Sequence, residues 1–120
     1  MKTAIILFAH GSRDPHWRAP VEAVAKRIAE RDPSLLVACA YLELTPPDLP
    51  FCASELIAKG AGKLTVLPLF LGIGKHARED LPQLIADLRR AHPNTPVTLK
   101  PSIGEEARLL DLIADLALSL

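Results

Sequence analysis

TAIILFAHGSRD, residues 3–14, is the most informative stretch of the chain for its architecture. From Ala4 to Ala9 every residue is apolar, and the polar His10-Gly11-Ser12-Arg13-Asp14 comes directly after. An unbroken apolar run of this length fits a strand buried on both faces, as in parallel sheets. It is too short for the core of a secretion signal, so a first β-strand is expected rather than a leader.

Beyond this strand, residues 15–31 read as a helix. Asp14 can cap it, Pro15 suits its first position, and Trp17, Val21, Val24 and Ile28 make one stripe. LLVACAY, 35–41, reads as a second buried strand. A helix is expected from Asp48 to about Lys59, with Leu49, Cys52, Leu56 and Ile57 inward and Gly60 and Gly62 ending it. KLTVLPLF, 63–70, is the third strand, with Pro68 near its end because proline donates no ladder bond. A third helix over 77–91 has its stripe at Leu81, Leu84, Ile85 and Leu88. VTLK, 97–100, is a short fourth strand, and Ser102 to Glu105 has capping-box spacing for a last helix over 105–118.

Strands alternating with helices predict an α/β fold: a four-stranded parallel sheet with right-handed crossovers and helices on both faces. The expected strand order is 2-1-3-4, half of a flavodoxin-like sheet, in one domain over residues 1–120. That order sets strands 1 and 3 side by side with crossovers leaving in opposite directions. Ligands bind beyond the C-terminal strand ends at such a switch point.

Composition narrows the function. The chain is 49% apolar, enough for one core, and its 14 basic and 14 acidic residues cancel. A neutral balance carries no electrostatic footprint for nucleic acid. No stretch approaches a membrane span, so a cytoplasmic location is expected. Cys39 and Cys52 form no C-x-x-C pair and read as small core residues.

The switch-point rule then selects residues. Strand 1 ends into His10-Gly11-Ser12-Arg13, and strand 3 into Gly72-Ile73-Gly74-Lys75-His76. Glu43 lies just past strand 2. The two glycines are expected to carry His76 over the crevice, opposite His10. Neutral imidazole binds Co²⁺, Ni²⁺, Fe²⁺ and Zn²⁺ and titrates near neutral pH. Two protein ligands leave coordination sites open, which suits a metal that is handed on. Asp80, four residues past His76, could share that metal, but capping or pairing with Lys75 or Arg78 is the favoured reading. Ser12 reads as an anion binder or a helix cap.

Two other motifs are set aside. Gly72-Ile73-Gly74-Lys75-His76-Ala77 matches G-x-G-x-x-A, yet it comes after the third strand, and no acidic residue ends the next one. Gly74-Lys75 fails as a phosphate loop, since Leu69 stands at the earlier glycine and His76 at the Ser/Thr.

LFAHGSRD at 7–14, YLELTPP at 41–47 and LPLFLGIGKHARED at 67–80 together resemble the short-form CbiX-like sirohydrochlorin chelatases, over essentially the whole chain. The resemblance implies ATP-independent insertion of a divalent metal into a tetrapyrrole. The metal, Co²⁺ first and Ni²⁺ or Fe²⁺ as variants, would be a substrate, with no cofactor permanently bound. It implies that His10 and His76 bind the metal and assist deprotonation, with Glu43 as the acidic partner. Arg13, Lys75 and Arg78, with Ser12, lie on the same loops and could meet the substrate's carboxylates. The resemblance also implies a homodimer. The last helix agrees, since Leu109, Leu110, Leu112, Ile113, Leu116, Leu118 and Leu120 spread over more than one face. A metal or tetrapyrrole carrier without turnover and a nucleotide-binding module are the competing classes.

Overall fold

The computed structural model describes residues 2–119. The order is β1 (Lys2–Ala9), a 3₁₀ turn (Pro15–Arg18), α1 (Ala19–Arg31), β2 (Leu36–Tyr41), α2 (Leu49–Ala58), β3 (Ala61–Pro68), α3 (Lys75–Ala91), β4 (Val97–Leu99), a second 3₁₀ turn (Ile103–Glu105) and α4 (Ala107–Leu118). The four strands form one parallel sheet in the order β2-β1-β3-β4. Both the fold class and the strand order match the sequence expectation. Pro68 ends β3, where no ladder bond is asked of it.

Alternate residues of β1 feed two cores. Ala4, Ile6 and Phe8 meet Leu49, Cys52, Ala53 and Leu56 of α2 and Leu81, Ile85 and Leu88 of α3. Leu7 and Ala9 meet Val21 of α1 and Tyr41, with Ile5, Ala25, Ile28 and Cys39 around them. β1 is central and deeply buried. β2 is an edge strand, so residues 36–39 are only half-buried, contrary to the reading of a fully buried strand.

The remaining differences are local. Proline at 15 and again at 20 leaves few N–H groups to bond, and the first turn is 3₁₀ rather than α. Asp14 caps that turn by accepting from His16 N–H at 2.9 Å. Trp17 and Val24 lie on the exposed side of their stripe, and Ala25 packs inward instead. Gly60 sits at φ +104 after α2, while Gly62 belongs to β3. α3 begins at Lys75, which puts His76 in its first turn.

The cysteines lie on opposite faces of the sheet. Cys39 Sγ is 3.9 Å from the Val21 carbonyl on the α1 side. Cys52 is buried against α2's core partners. Burial pushes the Cys52 thiol up to about 11, with the Cys39 thiol the next cause, so it stays protonated and inert near neutral pH.

α4 departs most from a finished domain, since it buries none of its residues. Leu116 is 66% exposed and Leu118 77%; Leu120 lies outside the described residues. Among the described residues no helix is long and apolar enough to cross a membrane.

Candidate functional site

The C-terminal end of the sheet is assembled by extending its ladders past the strands. Leu42 N–H donates to the Ala9 carbonyl at 2.9 Å, and Glu43 N–H to the His10 carbonyl at 3.0 Å. On the other side Leu69 N–H donates to the Phe8 carbonyl at 2.7 Å. His10 thus leaves β1 between the exits of β2 and β3, at the switch point.

Gly11 makes the approach of Glu43 possible. Its φ is +102, and a Cβ there would lie 1.9 Å from the Glu43 carbonyl oxygen. Only glycine satisfies both the left-handed backbone and the missing volume. Gly72 and Gly74 are different: neither has a positive φ, and a Cβ on either would meet open space. The expectation that these two glycines release the loop is therefore corrected. Gly74 acts as the backbone N-cap of α3, with φ −71° and ψ 165°, a conformation open to other residues.

Phe70 is the residue that sequence reading passed over. It is buried, and its ring centroid lies 4.4 Å from that of His10, tilted by 48°. Its backbone is clamped from β4's exit. Phe70 N–H donates to Ser102 Oγ at 3.2 Å, and that hydroxyl donates to the Phe70 carbonyl at 2.6 Å. Gly104 N–H donates to the same carbonyl at 3.1 Å. A Cβ on Gly104 would fall 1.7 Å from the Leu71 carbonyl oxygen, so this clamp too demands glycine. Ser102 is buried and engaged with Phe70, which leaves it unable to complete the expected capping box. Glu106 caps α4 instead, accepting from Arg108 N–H. The chain of contact runs from Ser102 and Gly104 through Phe70 to His10.

The other expected site residues take distinct places. His10, Glu43 and His76 are all exposed, so the site is an open platform and not a closed crevice. His76, Lys75 and Arg78 stand in the first turn of α3, a four-residue loop beyond Phe70. Among the described residues His10 and His76 make no ring contact, and no group of three His, Cys, Asp or Glu side chains comes together as a metal holder. Arg13 is exposed beside the His10 loop. Ser12 Oγ accepts from Asp14 N–H at 3.1 Å, a local cap into the first turn. Asp80 pairs with neither Lys75 nor Arg78 among the described residues. It lines a cavity of about 220 Å³ with Leu42, Gln83 and Leu84.

The structure therefore joins His10, Glu43 and Phe70 through direct contacts, and sets His76 with two cations on the next helix. An exposed imidazole braced by a buried aromatic ring and lying next to a carboxylate-bearing loop can hold a soft divalent ion or accept a proton.

A family model described as CbiX matches residues 4–119. The sirohydrochlorin cobaltochelatase of Methanococcus aeolicus is 35% identical over 82 residues, covering 68% of this chain and 57% of that protein. The chain thus spans little more than half the length of that relative. The sirohydrochlorin cobaltochelatase of Methanococcoides burtonii is 27% identical over 129 aligned positions, covering 98% of this chain and 95% of that one. The crystal structure of a CbiX protein from Marinobacter aquaeolei superposes with a TM-score of 0.82 at 36% identity, covering 96% of this chain and 93% of that one.

Proposed function

The chain belongs to the CbiX family, and from that membership we propose that residues 1–120 form one chelatase domain that inserts a divalent metal, Co²⁺ foremost, into sirohydrochlorin without ATP. The observation that carries this reading is the convergence at His10, where Glu43 is bonded to its carbonyl and Phe70 lies against its ring.

Metallation exchanges two pyrrole N–H protons for one M²⁺. The site must hold the ion and take up the protons. His10 and His76 present imidazoles for both tasks, and a two-histidine holder leaves positions open for the pyrrole nitrogens. Glu43 relays a proton or neutralises an imidazolium. Phe70 keeps the His10 ring from turning away from the platform. Arg13, Lys75 and Arg78 are free of ion pairs among the described residues; Arg13 is on the loop after His10 and Lys75 and Arg78 are in the first turn of α3, where substrate carboxylates would reach them. Ser12 adds a hydroxyl at the same loop. The metal enters and leaves as substrate, and no cofactor stays bound. The enzyme works in the cytoplasm on the route to cobalamin.

The test is the absorbance of sirohydrochlorin mixed with the protein and Co²⁺, Fe²⁺ or Ni²⁺ in turn. Multiple turnovers with Co²⁺ are expected. Stoichiometric uptake without turnover would point to a carrier, and no metallation with any metal would end the chelatase reading.

We also propose that the chain works as a homodimer. α4 carries Leu110, Leu112, Ile113, Leu116 and Leu118 in exposed positions. The radius of gyration is 14.8 Å, against about 13.6 Å for a compact chain of this length. On the α1 side of the sheet, Leu67 and Leu69 stay only half-buried. A second copy's α4 would bury both surfaces at once. Light scattering at micromolar concentration is expected to give twice the chain mass of 13.0 kDa; a monomer there would refute the dimer.

A further inference from the structure

Two exposed leucines flank His10, each one residue beyond a group that touches it. Leu44 comes after Glu43, whose N–H holds the His10 carbonyl, and is 51% exposed. Leu71 comes after Phe70, whose ring packs on His10, and is 61% exposed. Neither leucine completes a core, and both stand at the C-terminal end of the sheet.

Leu44 is also strained. Thr45 N–H donates to the Glu43 carbonyl at 2.9 Å across it, and its φ is +69. An i to i+2 bond about a positive φ is the rare, costly hand of the γ-turn. Such a position favours glycine or asparagine, and leucine is among the poorer choices. The turn cannot relax easily. The same Glu43 carbonyl presses on Gly11, and Thr45 Oγ1 accepts from Arg18 Nη1 at 3.1 Å. Leu71 is held as firmly, since its carbonyl lies against Gly104. Two exposed leucines are thus carried on held backbone, past the two strands that lie on either side of the strand leading to His10.

We infer that Leu44 and Leu71 are substrate-contacting residues that pack on the face of the tetrapyrrole macrocycle and centre it over His10. The inference rests on the chelatase reading and deepens it. A macrocycle face is flat and apolar with charged groups only at its rim. It therefore needs apolar contacts inside a ring of cations; Arg13 lies on the loop that begins at His10, and Lys75 and Arg78 stand in the first turn of α3, just past the loop that bears Leu71. The side chain at 44 is retained for that contact although the backbone would be easier with another residue.

The test titrates metal-free sirohydrochlorin into wild type, Leu44→Asn, Leu44→Met and Leu71→Ser, with the melting temperature and mass of each. Leu44→Asn suits the left-handed backbone and removes the apolar contact. It is expected to bind about tenfold more weakly with an unchanged or higher melting temperature. Leu71→Ser is expected to weaken binding similarly, and Leu44→Met to restore most of the affinity. Wild-type affinity in Leu44→Asn would overturn the contact while leaving the chelatase reading intact. A lowered melting temperature or a loss of dimer in Leu44→Asn would assign the leucine to the fold or to the subunit interface, and would also overturn it. A wild type that binds no sirohydrochlorin would bring down the chelatase reading and this inference together.

Discussion

Gly11→Ala is expected to lower the stability by about 3 kcal/mol and to move the urea midpoint down by about 1 M or more. Two costs combine. The φ of +102 strains any residue with a Cβ, which costs on the order of 1 to 2 kcal/mol. The new methyl would also fall 1.9 Å from the Glu43 carbonyl oxygen, a backbone atom that can move only by opening the β1–β2 exit. Overpacking of that kind costs about 1 to 3 kcal/mol. Gly60→Ala separates the two, because Gly60 has a φ of +104 and no atom within 4 Å of a built Cβ. It should carry the strain alone. Equal midpoints for the two variants would show that Glu43 yields without cost. Gly11→Ala should also slow metallation by about a hundredfold, since it shifts the Glu43 loop against His10.

His10→Ala and His76→Ala should each slow metallation by a factor of about 10² to 10⁴, the range for loss of a positioned proton acceptor. Their effects on stability should separate. His76 is exposed in the first turn of α3, and its loss should stay within about 0.5 kcal/mol. His10 packs on Phe70 at 4.4 Å, and its removal should cost about 1 kcal/mol. Single-turnover rates with Co²⁺, set beside urea melts of the same samples, read both quantities. A His76→Ala rate within twofold of wild type would remove that residue from the chemistry and leave His10 as the sole imidazole at the reacting centre.

Much of this candidate site was legible in the sequence. His10 stands just past the first buried strand, Glu43 just past the second and His76 a short loop beyond the third. Positions of that kind can be picked out along the chain because a parallel sheet delivers all its strand exits to one end. Phe70 was hidden because an aromatic at the end of an apolar run reads as core, which it also is. Ser102 was misread as a cap because capping spacing is a local signal. Its real partner is Phe70, 32 positions earlier. The glycines were misjudged for the same reason: Gly72 and Gly74 form a visible motif, whereas Gly11 and Gly104 matter through carbonyls that arrive from other loops.

Local signals along the chain were enough to specify the alternation of strand and helix, the parallel sheet, its order and the end at which the strand exits gather. Each is a consequence of apolar period, proline and glycine punctuation and the hand of the crossover, all of which are written in consecutive residues. Which residues press on which was settled only by folding. The half-exposure of β2, the unpartnered α4, the clamp on Phe70 and the strained turn at Leu44 depend on atoms brought together from distant positions. Period and propensity describe a segment against an average environment. Contact geometry depends on the particular neighbour that folding supplies.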